Sequence, residues 1–229
     1  KPDIIHIQSD GMIGQMGFML ASRLGSATVY TFHTMMEDYT YYANKGHFDR
    51  ALKSLVRSYV RYKANEVNEF ITPSEKIREY MRSINVDAYV SVIPTGIDFS
   101  LFDRDKIAKD KISHLKEKFS IGDDTFVILS LGRVAKEKSI DVCIRGYSLF
   151  LKTNPTIKTM MLIVGGGPAM NELKELTKKL GIENYVIFAG PVNPDDVPPY
   201  YALGNCFVSA STSETQGLTF MEAMASDNI

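Results

Sequence analysis

Apolar runs of four to six residues recur along the whole chain and are separated by longer stretches with the spacing of amphipathic helices. Regular alternation of this kind predicts an α/β fold in which parallel strands are joined by helices. We expect two doubly wound sheets, each built from one set of strands. The first set comprises residues 4–7, 28–32, 69–72 and 89–93, and the second comprises residues 126–131, 160–164, 185–189 and 206–210.

A break in the pattern separates the two sets of strands. Pro94, Thr95 and Gly96 interrupt it, and a charged stretch over residues 103–118 precedes the next apolar run. Proline and glycine commonly mark the ends of regular elements. The sequence therefore predicts two domains, one over residues 1–103 and one over residues 104–229.

The overall composition is that of an ordinary globular protein. Hydrophobic residues make up 45% of the 229 residues, and 26 basic against 27 acidic side chains give a net charge of -1. This balance provides no general attraction to nucleic acid, so no such partner is expected. No apolar run approaches the roughly 18 residues that cross a bilayer. Cys143 and Cys206 are expected to be buried thiols in a reducing compartment, which favours a cytoplasmic protein.

The most informative segment surrounds Gly217, which leads from the last predicted strand into a helix. The first amides of a helix have no partner within the helix and lie at the positive end of its dipole, so they bind anions. We expect the amides of Gly217, Leu218 and Thr219 to bind a diphosphate. Glu214 and Glu222 flank this turn and are expected to accept hydrogen bonds from sugar or ribose hydroxyls.

Three of the charged residues have a second interpretation that the residues alone leave open. Thr219 and Glu222 have the spacing of a capping box, in which both side chains would satisfy the helix's own amides. Arg133 and Lys138 follow the strand at residues 126–131, before a helix expected from Ser139. They could neutralise a diphosphate at the sheet edge or could be ordinary surface charges.

Three consecutive glycines, Gly165 to Gly167, follow another predicted strand. The third glycine of the dinucleotide-binding fingerprint would fall at Met170, and no acidic ribose partner stands out at the expected distance. We therefore do not expect NAD to bind here. The glycines are interpreted as a tight turn after the strand.

Residues 49–63 predict an amphipathic helix with one basic face. It is consistent with an ordinary domain helix whose apolar face joins the core. It is equally consistent with contact with an anionic membrane, whose surface attracts basic residues, and nearby aromatic side chains could then lie among the lipid headgroups. The basic positions are Arg50, Lys53, Arg57 and Arg61, the apolar positions are Leu52, Leu55, Val56, Tyr59 and Val60, and the aromatic residues are Tyr39, Tyr41, Tyr42 and Phe48.

Several motifs occur in an order that resembles a known family. The second half contains, in sequence, Leu131-Gly-Arg133, Lys138, the runs 162–168 and 186–190, Glu214 and Glu222. This series resembles the nucleotide-sugar-binding half of the retaining glycosyltransferases of family 4. Residues 4–10, 29–39 and 92–98 resemble the acceptor-side domain of the same enzymes. The run 33–39 resembles in particular the bacterial diacylglycerol glucosyltransferases.

The resemblance implies a GT-B architecture, in which two Rossmann-like domains face each other across a cleft. It implies that both domains are incomplete in this chain, which would be the middle of a longer protein. The implied enzyme is a hexosyltransferase that moves a sugar, expected to be glucose, from a UDP-sugar to diacylglycerol in a bacterial membrane. The anomeric configuration would be retained, no metal or cofactor would be needed, and the enzyme would be peripheral on the cytoplasmic face of the membrane.

The resemblance also implies roles for individual residues. His33 and Glu214 would lie near the donor sugar, with His33 also near the acceptor. Arg133 and Lys138 would contact the diphosphate. Glu222 would bind the ribose hydroxyls.

Other functions remain open on the sequence. The acceptor could be a polysaccharide, a phosphatidylinositol or a cell-wall precursor, or the chain could be a sugar-nucleotide-binding fragment without activity. An epimerase on the same fold would need an acid–base pair that the sequence does not offer. Glu37 and Asp38 follow His33 and could bind an acceptor hydroxyl, but solvation is their simpler interpretation.

Overall fold

A computed structural model describes residues 1–40 and 49–228 and contains two compact units. The first unit comprises Lys1–Gly96 together with Ser213–Gln216, and the second comprises Ile97–Thr212 together with Gly217–Ile229. The contacts thus divide the chain at Gly96 and Ile97 rather than after residue 103. They also assign the short segment Ser213–Gln216 to the first unit, which no sequence pattern indicated.

The first unit is a parallel sheet with the strand order β1-β2-β3-β4. The predicted strands are confirmed, with bounds that move by no more than one residue. Helices connect consecutive strands, and the longest described one, α2, is longer than the predicted basic helix. The elements are β1 (Ile4–Ile7), α1 (Met12–Leu24), β2 (Ala27–Thr31), α2 (Asp49–Glu66), β3 (Glu69–Thr72), α3 (Glu75–Ser83) and β4 (Val90–Val92).

The second unit is also a parallel sheet, with the strand order β7-β6-β5-β8. Its last strand is much shorter than the predicted 206–210, because only Cys206 and Phe207 pair with β5 before the chain leaves the sheet. The elements are α4 (Lys109–Phe119), β5 (Phe126–Leu131), α5 (Ile140–Thr153), β6 (Thr159–Val164), α6 (Met170–Leu180), β7 (Val186–Gly190), α7 (Pro198–Leu203), β8 (Cys206–Phe207) and α8 (Leu218–Ala225).

The burial of β6 explains why its sequence is apolar from Met160 to Val164. Met161 and Ile163 pack in a core cluster on one side of the sheet, and Leu162 and Val164 pack in a second cluster on the other. A strand covered by helices on both faces needs apolar side chains at every position. The continuous apolar run, rather than an alternating one, is therefore the signature of the doubly wound sheet.

The turn after β2 is held by a buried carboxylate. Glu37 is only 7% exposed and accepts hydrogen bonds from Arg57 Nε (2.9 Å) and Nη2 (2.8 Å) on α2. The hydroxyl of Tyr80 on α3 also donates to it. Burial pushes the pKa of Glu37 up, but the hydrogen bonds from Arg57 and Tyr80 outweigh burial and lower that pKa overall. Glu37 therefore ties the segment after His33 to two helices, and its interpretation as a solvated side chain is wrong.

No helix of the described part of the chain combines the length and hydrophobicity that crossing a membrane requires.

We expect Glu37→Gln to lower the free energy of unfolding at pH 7 by about 2 kcal/mol, the usual contribution of a hydrogen bond to a charged group. A carboxyl whose pKa is lowered on folding stabilises the protein above its ordinary pKa of 4.5, and that stabilisation is lost as the pH falls. Urea unfolding over a range of pH should therefore show the variant and the wild type converging in acid.

The matched control for this change is Glu75→Gln. Glu75 forms an i,i+3 ion pair with Arg78 at 2.5 Å, but its side chain is 60% exposed. Exposed pairs contribute little to stability, so this variant should unfold close to the wild type at every pH. A difference for Glu37→Gln that stays constant from neutral to acid pH would contradict the assigned role of its charge.

Candidate functional site

His33 lies at the carboxyl edge of the first sheet, two residues after β2 ends. Its Nε2 donates to Oε1 of Gln8 at 2.8 Å, and Gln8 directly follows β1. Because β1 and β2 are paired in parallel, with Ile7 beside Tyr30, both side chains reach the same edge. Ligands of open α/β sheets gather at this edge. The role expected for His33 stays a prediction.

Glu214 belongs to the same unit as His33 through the segment Ser213–Gln216. Thr215 Oγ1 donates to the backbone oxygen of His33 at 3.1 Å, and Ser74 Oγ donates to the backbone oxygen of Thr215 at 2.5 Å. Lys76 Nζ donates to the backbone oxygen of Glu214 at 3.0 Å. These contacts bring together the two residues that were expected near a donor sugar.

Gln216 closes this segment with a two-point contact. The backbone N–H of Thr95 donates to Gln216 Oε1 at 2.7 Å, and Gln216 Nε2 donates to the backbone oxygen of Thr95 at 3.0 Å. The side-chain amide of Gln216 thus pairs with both the N–H and the carbonyl of Thr95, as the backbone of a neighbouring strand would. The sequence pattern gave no signal for it, because 121 residues separate the two.

The Gly217 turn begins α8 in the second unit. Gly217 has φ 76° and ψ 50°, a left-handed conformation that favours glycine, and it is the N-cap residue of the helix. Its carbonyl accepts from the amides of Phe220 and Met221. The amides of Gly217, Leu218 and Thr219 precede them and belong to the first turn, whose N–H groups find no acceptor inside a helix.

The capping-box interpretation of Glu222 is wrong. Thr219 is the second residue of the helix rather than its N-cap, and Gly217 at the N-cap has no side chain with which to accept. Oε2 of Glu222 instead accepts from the hydroxyl of Tyr201 at 2.7 Å. Tyr201 is fully buried, and burial followed by the charge of Glu222 raises the pKa of its phenol, so it remains a hydrogen-bond donor.

Arg133 lies two residues after β5, at the carboxyl edge of the second sheet. Its Nη1 lies 3.8 Å from Oε1 of Glu137, whose side chain is 2% exposed, while Arg133 itself is half exposed. Lys138 ends a short 3₁₀ turn, and Ser139 follows with φ 48°, so α5 begins at Ile140 and not at Ser139. Lys138 therefore directly precedes the N-cap residue of the helix and is not part of its first turn.

The glycine-rich loop after β6 has a role that the sequence analysis missed. A Cβ on Gly165 would lie 1.8 Å from the backbone oxygen of Gly132, and one on Gly167 would lie 2.2 Å from that of Val134. The amide of Val134 donates to the oxygen of Gly166 at 2.9 Å. The glycines thus let two backbones approach, and this packing fixes the loop that carries Arg133.

Parallel pairing places these loops at one edge of the second sheet. The Arg133 loop follows β5, and the glycine-rich loop follows β6, which pairs with β5. The Gly217 turn comes ten residues after β8, the other strand beside β5, and the ring of Phe220 in its helix packs against Phe207 of β8. This edge carries backbone amides and two cationic side chains. Such a combination of helix-start amides and cations is suited to a phosphate group.

The basic face of α2 differs from the predicted one. Lys53 Nζ forms an i,i+4 ion pair with Asp49 at 2.9 Å, and Arg57 is bound to Glu37, so two of the four cations are paired. Arg50 and Arg61 are exposed. The sequence could not reveal the second pairing, because Glu37 is distant along the chain and was interpreted as solvated.

The apolar face of α2 also needs correction. Val60 is buried, but Leu55, which was assigned to that face, is 67% exposed. Tyr39 is half-buried, and Tyr41, Tyr42 and Phe48 lie outside the described residues. Membrane contact by this helix stays a prediction, now dependent mainly on Arg50 and Arg61.

Asp10 is a second residue that the sequence analysis overlooked. It follows β1, and the hydroxyl of Tyr30 on β2 donates to its Oδ1. Burial raises the pKa of its carboxyl, although the hydrogen bonds from Tyr30 and Thr34 and the nearby His33 act in the opposite direction. Its position was visible in the sequence, since Asp10 follows β1 as His33 follows β2.

The two cysteines are free, as expected, but half-buried rather than buried, and partial burial raises the pKa of both thiols. No cluster of three or more histidine, cysteine, aspartate or glutamate side chains suited to a metal ion occurs within residues 1–40 and 49–228.

Two family models match the chain. The model described as Glycosyl transferases group 1 matches residues 111–227, and the model described as Glycosyltransferase Family 4 matches residues 1–101. Alpha-monoglucosyldiacylglycerol synthase of Streptococcus pneumoniae is 38% identical over 98% of this chain and 50% of its own length. The enzyme of the same name from Acholeplasma laidlawii is 32% identical over 98% of this chain and 57% of its own length. The chain thus spans about half the length of these curated relatives.

Solved structures agree with the fold. Sucrose-phosphate synthase of Thermosynechococcus elongatus gives a TM-score of 0.78 at 19% identity and covers 99% of this chain and 54% of that one. HepE of Anabaena, solved in complex with UDP, gives a TM-score of 0.73 at 21% identity over 97% of this chain and 58% of that one. The fold is therefore of the GT-B glycosyltransferase type. The two family models, which together span almost the whole chain, show that it belongs to the group 1 glycosyltransferases and carries a domain of Glycosyltransferase Family 4.

Proposed function

We propose that the protein transfers a hexose, with glucose as the expected sugar, from a UDP-sugar to the hydroxyl of diacylglycerol. The observation that carries the proposal is the arrangement at the edge of the second sheet, where the Gly217 turn and the Arg133 loop follow paired strands. Support for the acceptor comes from the names of the two synthases, each of which matches almost the whole chain. Support for the nucleotide comes from the UDP complex of the structural neighbour HepE.

The proposed chemistry depends on stabilising the departing nucleoside diphosphate. Arg133, Lys138 and the amides from Gly217 to Thr219 offer positive charge and dipoles where negative charge develops as the bond to the sugar breaks. Fixed donors of this kind usually contribute the largest share of catalysis. The proposal includes retention of the anomeric configuration, with the protein's own donors and no cofactor assisting the leaving group.

The first unit would supply the sugar and acceptor contacts. His33 and Glu214 share this unit, and the backbone of His33 is linked to the neighbour of Glu214 through Thr215. We assign Glu214 to the donor sugar hydroxyls and His33 to the sugar and the acceptor. Glu222, already oriented by Tyr201, would accept from the ribose hydroxyls of the nucleotide.

A lipid acceptor requires a position at the membrane surface, and we propose a peripheral association on the cytoplasmic face. Arg50 and Arg61 on α2 are exposed and would face anionic lipid. Interfacial attraction of this kind is local and sensitive to salt. A local attraction of this kind does not require a large overall charge, and the net charge of the chain is only -1.

The first prediction concerns the leaving group. Arg133→Ala and Lys138→Ala should each lower kcat/KM for UDP-glucose by about 10²-fold or more, as the loss of one transition-state donor does. The melting temperature should change little, because Arg133 is half exposed. The control is Arg145→Ala, an exposed i,i+4 partner of Asp141 on α5 that should transfer normally. Normal transfer by either Ala variant at Arg133 or Lys138 would contradict the proposed role.

The second prediction isolates the ribose contact of Glu222. Wild-type protein should bind UDP about 10-fold to 100-fold more tightly than 2′,3′-dideoxy-UDP, the difference expected for a hydrogen bond to a charged group. Glu222→Gln should remove most of that preference while binding the dideoxy nucleotide as the wild type does. Calorimetric titration of both nucleotides into both proteins measures this, and an unchanged preference in the variant would exclude Glu222 as the ribose ligand.

The third prediction concerns the membrane. Replacing Arg50 and Arg61 together with serine should weaken sedimentation with phosphatidylglycerol vesicles by about fivefold for each charge removed. Replacing Lys152 and Lys179, two exposed lysines of the second unit, changes the net charge equally and should have no such effect. Equal binding by the wild type and both variants would remove α2 from the membrane contact and leave the transfer reaction as a separate question.

A further inference from the structure

Gln8, Asp10 and His33 form one polar group at the carboxyl edge of the first sheet, which we call the edge cluster. Gln8 and Asp10 follow β1, and His33 follows β2, which pairs with β1 in parallel. Gln8 and His33 are linked at 2.8 Å, and Asp10 lies two residues after Gln8 in the loop that follows β1. The cluster therefore presents an amide, an imidazole and a carboxylate at the same edge.

Asp10 is held in a fixed orientation by a buried tyrosine. The ring of Tyr30 is 2% exposed and packs edge-on against Phe18 and Phe70 in the core of the first unit. Its hydroxyl donates to Asp10 Oδ1. A tyrosine whose ring is locked in the core acts as a rigid support for the group that it binds. The carboxylate is thus positioned before any ligand arrives.

The carboxylate of Asp10 retains the capacity to accept a further hydrogen bond. An ionised carboxyl has about four acceptor positions, and the hydroxyl of Tyr30 occupies one of them. Asp10 is half-buried, so a ligand can still reach it. Across residues 1–40 and 49–228, no lysine or arginine forms an ion pair with it. A hydroxyl of a ligand can therefore donate a hydrogen bond to one of the acceptor positions that remain.

Burial of this carboxylate lowers stability at neutral pH. Burial is the largest influence on its pKa and raises it above the ordinary value. An acid whose pKa is raised on folding contributes stability at low pH that is lost as the pH rises through the folded pKa. A carboxylate kept at such a position, at an edge where ligands bind, is typical of a functional group rather than a structural one.

We propose that Asp10 binds the acceptor, by accepting a hydrogen bond from the hydroxyl to which the sugar is transferred. Gln8 keeps His33 oriented beside it, and Tyr30 acts as a positioning residue for Asp10. The acceptor class that fits the edge cluster is an uncharged alcohol, and diacylglycerol, with its single free hydroxyl, belongs to it. This inference rests on the proposed function, because it assigns the acceptor half of the same site.

The test compares acceptor and donor parameters in Asp10→Asn. The asparagine oxygen can still accept from Tyr30, but it is a weaker partner for a hydroxyl because it carries no charge. With dioleoylglycerol in phosphatidylglycerol vesicles as acceptor, kcat/KM for the acceptor should fall about 10-fold to 100-fold, as expected on losing a hydrogen bond to a charged group. The KM for UDP-glucose and the Kd of UDP should stay close to the wild-type values.

Two controls separate binding from folding. Asp10→Asn should melt at or above the wild-type temperature at pH 7. A loss of transfer in this variant would then not be due to unfolding. Asp3→Asn changes an exposed carboxylate at the amino end of the same strand and should transfer as the wild type does. Asp10→Glu should recover part of the acceptor kcat/KM, because it restores the charge with a longer side chain.

Each outcome decides between the two proposals. A selective loss for the acceptor supports the assignment. Wild-type kinetics in Asp10→Asn, or equal losses in the acceptor and UDP parameters, would overturn the role of Asp10 while leaving the transferase function intact. A wild-type protein that binds UDP but transfers no sugar to dioleoylglycerol would overturn the acceptor in the proposed function and this inference with it.

Discussion

Parallel strand pairing is the constraint on which both units depend. When every strand of a sheet runs the same way, every loop that follows a strand emerges at the same edge. The order β1-β2-β3-β4 in the first unit and β7-β6-β5-β8 in the second are both of this kind. Residues far apart in sequence, such as Gln8 and His33 or Arg133 and Gly217, thereby follow neighbouring strands without any direct sequence signal linking them.

Carboxylates held by tyrosines recur in the site regions of both units. Asp10 is bound by Tyr30, Glu37 by Tyr80 and Glu222 by Tyr201. In each pair, burial is the largest influence on the tyrosine and raises the pKa of its phenol, so the hydroxyl remains a donor across the physiological pH range. A ring anchored by packing with a polar tip is a rigid way to orient a charge.

The elements of the fold were largely predictable from the sequence because they are local. The continuous apolar run 160–164 indicates a strand buried on both faces, and the structure contains it as β6. Apart from the length of β8 and the exposure of Leu55, the wrong interpretations concern what individual polar side chains contact. The capping box at Thr219 failed because the helix begins two residues earlier than a threonine cap requires. Glu37 looked solvated because its partners, Arg57 and Tyr80, come from other helices. Long-range hydrogen bonds leave no periodic pattern, and so the segment Ser213–Gln216 and the orientation of Asp10 needed the structure.

The charge and amides at the edge of the second sheet are the centre of the proposed chemistry, and they can be observed directly by nuclear magnetic resonance. Titration of UDP into ¹⁵N-labelled protein should shift the amide signals of Gly217, Leu218 and Thr219 together with those of Gly132 and Arg133. Uridine, which lacks the diphosphate, should shift them far less. Signals that stay in place while UDP binds elsewhere would contradict a diphosphate site at this edge.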